Sequence, residues 1–168
     1  MIEVTVESIR VSLVNQQRLV VLRENDSPRY LPIWIGPFEA EAITMGLRND
    51  EVPRPMTHDL LGMLIRELGG KVKHVCVCDL RDETFHAQIV LEHRGKQIEI
   101  DSRSSDAIAV AVRLDVPIFV SEQVMEVAGQ VPAADYDSGE PAPANGDELG
   151  AFRDFIDSLD LDTLSDED

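Results

Sequence analysis

Long apolar runs, basic clusters and cysteines are scarce in this sequence. No stretch approaches the roughly 18 apolar residues that span a bilayer, and the start, MIEV, lacks the basic segment that opens a signal peptide. We therefore expect a cytoplasmic chain without a membrane partner. No lysine or arginine cluster is present to neutralise phosphates, so the composition argues against tight DNA binding.

Cys76 and Cys78 are the two cysteines of the chain. Their spacing inside an apolar run points both side chains to the same face of a strand, where neighbouring thiols make a poor disulfide. A metal site needs more soft ligands than this pair supplies, so we predict buried structural thiols. The sequence also lacks a glycine-rich phosphate loop, a serine nucleophile elbow and a zinc motif.

Acidic residues are abundant, and most of their net charge lies near the C-terminus. Of the formal net charge of -17, residues 131–168 carry -11, with 12 acids and one base. A single domain is predicted at 1–129, followed by a flexible linker at 130–148 that is rich in proline, glycine and small residues. Apolar residues recur at helical spacing in the acidic tail at 149–168. Two interpretations are open: a short amphipathic helix that docks on the domain or a partner, or a transient helix in a disordered tail.

Alternating apolar residues predict two groups of strands. The first group is an antiparallel meander at residues 2–13, 18–24 and 30–35. The second group lies at residues 72–80, 84–93, 96–100 and 118–121. A one-residue shift in the alternation places a bulge near Glu7 and Ser8. The whole pattern predicts an α+β fold, a mixed and mainly antiparallel sheet packed with about three helices.

Apolar residues at helical spacing and capping signals predict the helices. Pro37 suits the first turn of a helix that carries an apolar face of Phe38, Ala42, Ile43 and Leu47. Thr57 is the expected N-cap of the next helix, and Asp59 lies in its first turn. The apolar stripe of this helix is Leu60, Leu61, Leu64, Ile65 and Leu68. Another helix is expected once the strand has ended at Asp101, and a short one at 122–128.

Four segments of the chain resemble the bifunctional nuclease domain family. They are residues 31–43 (LPIWIGPFEAEAI), 53–61 (PRPMTHDLL), 98–113 (IEIDSRSSDAIAVAVR) and 116–120 (VPIFV). The resemblance implies hydrolysis of both DNA and RNA by a mixed α+β domain that self-associates. Ser104 stands where the family commonly has proline, which loosens the helix start, and the acidic tail lies outside the resemblance.

Two predicted helix starts carry the candidate site residues. Asp101, Arg103 and Asp106 surround one of them, where Mg²⁺ or Mn²⁺ held by Asp101 and Asp106 would lie beside a phosphate contact at Arg103. His58 and Asp59 mark the other, as a proposed general base and a further metal-shell residue. For both helix starts the alternative is plain helix capping.

Three further side chains have predictions other than a role in the site. Glu39 and Glu41 point in different directions on a helix and are not expected to share one metal, with one of them facing solvent. Trp34 is predicted as a core or interface residue rather than a base-stacking platform.

Two functions therefore remain open. The first is a metal-assisted nuclease that binds nucleic acid weakly as its substrate. The second is a non-catalytic, homo-oligomeric binding or regulatory module whose acidic tail recruits a basic protein partner. A chain ending at Gly129 separates them, because it would lose partner binding in the second case and keep or gain nuclease activity in the first.

Overall fold

The computed structural model describes residues 1–12, 17–50 and 52–131 as a mixed sheet with helices. The predictions for the acidic tail and for most of the linker fall outside these residues. In chain order the described elements are β1 Ile2–Val11, β2 Arg18–Glu24, β3 Tyr30–Ile35, α1 Pro37–Arg48, α2 Thr57–Glu67, β4 Gly70–Arg81, β5 Thr84–His93, β6 Lys96–Arg103, α3 Ser104–Leu114, β7 Ile118–Val120 and α4 Glu122–Ala128. The α+β prediction is confirmed, with four described helices instead of about three.

The described strands form one seven-stranded sheet in the order β3-β2-β1-β7-β4-β5-β6. Two antiparallel meanders, β1-β2-β3 and β4-β5-β6, are joined by β7, which runs antiparallel to β1 and parallel to β4. The predicted bulge in β1 is confirmed by a register shift between Val6 and Ser8. Beyond β7, Tyr30 and Gln130 exchange two backbone hydrogen bonds of 2.8 and 2.7 Å.

Helix α3 lies at the centre of the core. Ala107, Ile108, Ala109, Val110 and Ala111 are all buried, because the sheet covers one side of the helix and α1 and α2 cover the other. Small side chains permit this close packing. A Cβ atom at Gly46 of α1 or Gly62 of α2 would lie 2.7 or 2.8 Å from side chains of α3.

Both outer helices bury only part of the apolar face that the sequence predicts. Phe38 and Leu47 of α1 are exposed, as are Leu60 and Leu64 of α2 and Leu68 just after it. Helix α1 buries Ala40 and Gly46 beside the predicted Ala42 and Ile43, and the buried residue of α2 is Gly62. Where the structure describes helices, none is long and apolar enough to cross a membrane.

Two predicted boundaries are wrong. Asp101 does not end its strand: β6 continues to Arg103 and α3 begins at the next residue, because the antiparallel pairing with β5 persists to the His86–Arg103 pair. Thr57 is not an N-cap but the first residue of α2. Met56 holds the N-cap position, and its backbone N–H donates a 2.9 Å hydrogen bond to the Asp59 carboxylate.

Candidate active site

The starts of α2 and α3 meet through a hydrogen bond between two side chains that are 48 residues apart in sequence. His58, in the first turn of α2, places Nε2 3.1 Å from Oδ1 of Asp106, in the first turn of α3. An ionised carboxylate only accepts hydrogen bonds, so the proton of a neutral His58 lies on Nε2 and Nδ1 is left as an acceptor. The side chains of His58 and Asp106 are 12% and 28% exposed. Solvent therefore still reaches this pair.

Arg103 brings a third helix start to the same place. Its Nε and NH2 groups donate hydrogen bonds of 2.7 and 3.0 Å to the two carboxylate oxygens of Asp106. Its NH1 lies 3.0 Å from Oε1 of Glu39, in the first turn of α1. We call Glu39, His58, Arg103 and Asp106 the charged cluster. The helix dipoles of α1, α2 and α3 all present their positive ends here, which stabilises the carboxylates of Glu39 and Asp106 in the first turns.

The environment of Asp106 keeps it ionised. Burial raises the pKa of this carboxyl, but the hydrogen bonds from Arg103 and His58 outweigh burial and hold the pKa below its usual value. Asp106 is therefore a carboxylate at neutral pH. It can orient the His58 ring through their hydrogen bond.

The lowered pKa of Asp106 predicts a pH-dependent contribution to stability. The unfolded carboxyl, with its ordinary pKa of 3.8, binds a proton before the folded one does. This contribution is therefore fully present above that value and is lost as the pH falls through the lower folded pKa. We expect the free energies of unfolding of the parent and Asp106→Asn to differ most near neutral pH and to converge under acid conditions. Denaturant titrations at both conditions measure this, and a gap that stays constant with pH would contradict it.

Asp59 lies next to His58 in sequence but outside the charged cluster. Its two carboxylate oxygens accept hydrogen bonds of 2.9 and 3.1 Å from NH1 of Arg113, near the end of α3. The Arg113 side chain is only 9% exposed, and its NH2 group also contacts the sulfur of Met56 at 3.7 Å. Asp59 therefore fixes α2 against α3, and the capping alternative is the one that fits it.

Asp101 is also separate from the charged cluster. It pairs with Gln88 across β5 and β6 and is exposed. Its charge acts on Cys78, whose pKa is raised by burial and further by Asp79 and Asp101. Both cysteines are free thiols, and burial raises the pKa of Cys76 to about 11. Cys76 is buried as predicted, whereas Cys78 is only partly buried. The raised pKa of each thiol suits a structural role.

Comparison with known proteins identifies the family of this chain. The model of the bifunctional nuclease domain matches residues 20–133. This range contains all four members of the charged cluster. The chain belongs to the bifunctional nuclease domain family.

Relatives of two kinds share this domain. An uncharacterized protein of Mycobacterium tuberculosis is 40% identical over 160 residues, which cover 95% of this chain and 96% of that protein. Bifunctional nuclease 1 of rice (Oryza sativa subsp. japonica) is 25% identical over 73% of this chain and 39% of its own length. Bifunctional nuclease 1 of Arabidopsis thaliana is 27% identical over 76% of this chain and 40% of its own length. The chain thus spans about two fifths of these plant relatives.

Among the described residues, the side chains are not grouped as a ready site for a divalent metal. Both oxygens of Asp106 accept hydrogen bonds from Arg103, and the guanidinium charge repels a cation. Within residues 1–12, 17–50 and 52–131, no group of three or more His, Cys, Asp or Glu side chains is arranged to hold a metal ion. Asp101 and Asp106 as metal ligands stay a prediction that needs its own test.

Glu39 is the functional candidate that the sequence left out of the site. Its position in the first turn after Pro37 signals a helix-start carboxylate, but the contact with Arg103 spans the fold and has no local signal. Glu41 is exposed, which confirms that one of the two glutamates faces solvent. Trp34, predicted as core or interface, is 59% exposed. A core position for this side chain is wrong.

Proposed function

We propose that this chain hydrolyses phosphodiester bonds of nucleic acids and that the charged cluster is its active site. The observation that carries the proposal is the convergence of His58, from the start of α2, with Arg103 and Asp106, from the start of α3, in a member of the bifunctional nuclease family. A base, an orienting carboxylate and a phosphate-binding cation within hydrogen-bond distance are the groups that this hydrolysis needs.

Each member of the charged cluster has a role in the proposed reaction. His58 Nδ1 accepts a proton from the water that attacks phosphorus, while Asp106 stabilises the imidazolium that forms. Arg103, with 67% of its side chain exposed, binds a non-bridging phosphate oxygen. Glu39 positions Arg103. As the phosphorus–oxygen bond breaks, the leaving oxygen takes a proton from solvent.

Cleavage of single-stranded DNA and RNA by the full chain, beside its His58→Gln variant, tests the proposal. Activity that is lost in the variant supports a phosphodiesterase at the charged cluster, and equal activity contradicts it. The assay is run with EDTA and with added Mg²⁺ or Mn²⁺. The proposal that a metal takes part fails if the rates with and without the metal are the same.

The second candidate, a homo-oligomeric binding module, is favoured by an exposed apolar surface between α2 and β6. Leu68, Ile98 and Ile100 are exposed and line a groove of about 440 Å³. β6 is an edge strand, so unpaired backbone groups lie beside these side chains. A second copy of this chain would pair with the strand edge and cover the apolar side chains, because it brings an identical strand edge and an identical apolar surface.

We expect charge on this surface to reduce self-association. In Ile98→Glu/Ile100→Glu, two carboxylates would have to be buried at the interface between copies. The free-energy cost of burying these charges exceeds the stabilisation from the apolar contact. Sedimentation velocity of the full chain measures the effect as a shift to monomer. Val127→Glu, a similar change at an exposed position of α4, is the matched control. A parent that is already monomeric, or a variant of unchanged size, would rule out this interface.

A further inference from the structure

A groove next to the charged cluster is lined mostly by residues that have no role in the proposed hydrolysis. It lies between the end of β3, the start of β5 and the start of α3, and its volume is about 310 Å³. Its lining includes Trp34, Phe85, Arg103, Ser104 and Ser105. This volume is at the lower end of the range of small-molecule sites, about 300–1,000 Å³, and suits a group the size of a nucleotide. Because Arg103 belongs to both sites, a ligand in the groove would touch the charged cluster.

The start of α3 leaves polar groups available to such a ligand. Ser104 and Ser105 are each only 7% exposed, yet neither side chain makes a hydrogen bond with a described residue. Arg103, at the N-cap position, gives the helix no side-chain hydrogen bond. Both serines belong to the groove lining, and the first N–H groups of a helix need an acceptor from outside the helix. Two hydroxyls and the start of α3 are therefore among the polar groups that a ligand in the groove can reach.

The groove lining also includes an exposed aromatic residue. Trp34 lies on the edge strand β3, opposite Leu19 of β2, and keeps more than half of its surface in solvent. An indole has a large apolar face, and leaving it exposed forgoes burial that would stabilise the fold. Trp34 is thus an exposed aromatic side chain in the same groove lining as the donors of α3.

We propose that this groove binds one nucleotide of a single-stranded nucleic acid, with its base stacked on Trp34 and its phosphate at Ser104, Ser105 and Arg103. The inference rests on the proposed function and names a substrate subsite for it. Single strands are the class that fits, because a base inside a duplex is already stacked and its face is closed to a side chain.

The charges of the groove predict the character of this binding. Arg103 is balanced by Asp106 and Glu39, and Glu83 also lines the groove. Few phosphates would be neutralised, so few counterions would be released. Stacking and neutral hydroxyl donors would then supply most of the affinity, and we expect a weak dependence on salt.

Trp34 is the one tryptophan of the chain, so its fluorescence reports on this position alone. The full chain is titrated in EDTA with an oligodeoxythymidylate of about ten nucleotides, and the anisotropy of a labelled oligonucleotide measures binding separately. We expect quenching of Trp34 on binding, weaker binding of the corresponding duplex, and about tenfold weaker binding in Trp34→Leu. Trp34→Phe should retain much of the affinity. Phe38→Leu, another exposed aromatic outside the groove lining, should match the parent.

The outcomes separate this inference from the proposed function. Quenching and Trp34-dependent binding without any cleavage would uphold the groove and contradict the nuclease proposal. Cleavage that requires His58 but binding that is unchanged in Trp34→Leu would overturn the groove and leave the nuclease proposal standing. Fluorescence that changes with protein concentration alone, together with a Trp34→Leu variant that dissociates, would mean that a second copy covers Trp34 and would also overturn it.

Discussion

Substitution of His58 by glutamine is expected to reduce kcat for hydrolysis of single-stranded DNA or RNA by about two to four orders of magnitude, the range that a positioned general base contributes. Glutamine keeps a side-chain donor for Asp106, so the junction of α2 and α3 is retained. It has no group that accepts a proton near neutral pH. KM should change little, because Arg103 and the groove beside it are untouched.

Matched variants decide whether a loss of activity belongs to the charged cluster. His93→Gln makes the same chemical change on β5, at the groove between α2 and β6, and should keep the parent rate. Asp101→Asn tests the predicted metal ligand, because it should abolish metal-dependent activity only if Asp101 holds the ion. A contaminating nuclease would give every identically purified variant the same rate. If Asp101→Asn lost nuclease activity while His58→Gln kept the parent rate, the active site would lie outside the charged cluster.

Much of the fold was predictable because its signals are local. The predictions at 18–24, 30–35 and 122–128 coincide with β2 Arg18–Glu24, β3 Tyr30–Ile35 and α4 Glu122–Ala128. Apolar residues that alternate between turn residues determine the two strands within a few positions. The helix begins after Ser121, whose hydroxyl accepts a hydrogen bond from the Val124 N–H. The end of β6 was missed because Ser102 and Arg103 are polar, and only their pairing with β5 keeps them extended.

The sequence allowed the residues of the candidate site to be predicted, but not the contacts that they make with one another. His58, Arg103 and Asp106 stand at helix starts that composition and spacing indicate, so they could be named in advance. Their convergence depends on how α2 packs on α3, which Gly62 permits by its lack of a side chain. Packing against α3 also explains the apolar residues left exposed on α2. A stripe of apolar residues indicates which side of a helix faces the core, but the partner helix determines how wide the buried contact is.

Removal of the Asp59 carboxylate is expected to lower the free energy of unfolding by about 3–5 kcal/mol, the usual cost of leaving one member of a buried ion pair without its partner. In Asp59→Ala, the guanidinium of Arg113 would keep only the sulfur of Met56 among its described side-chain contacts. Its Nε already lacks a partner among the described residues. Glu92→Ala, which breaks the exposed Lys73–Glu92 pair, should cost less than about 1 kcal/mol. Denaturant titration measures both.

The double variant Asp59→Ala/Arg113→Met tests this explanation. Methionine keeps an apolar stem of similar length and removes the buried charge, so most of the lost stability should return. A double variant as unstable as Asp59→Ala would mean that the loss comes from the missing acceptor for the Met56 N–H rather than from the unpaired guanidinium.

Activity in the stabilised double variant then reveals what the Asp59–Arg113 pair does for the site. The start of α2 is tied to α3 at two points, through His58 to Asp106 and through Asp59 to Arg113, seven residues later along α3. Two side-chain contacts about two turns apart along α3 fix both the position and the tilt of α2, whereas a single contact would allow α2 to rotate about it. We therefore expect the double variant to fold well yet lose about tenfold or more in kcat, since small misplacements of a reacting group are costly. A double variant with the parent rate would show that the His58–Asp106 bond aligns the base without help.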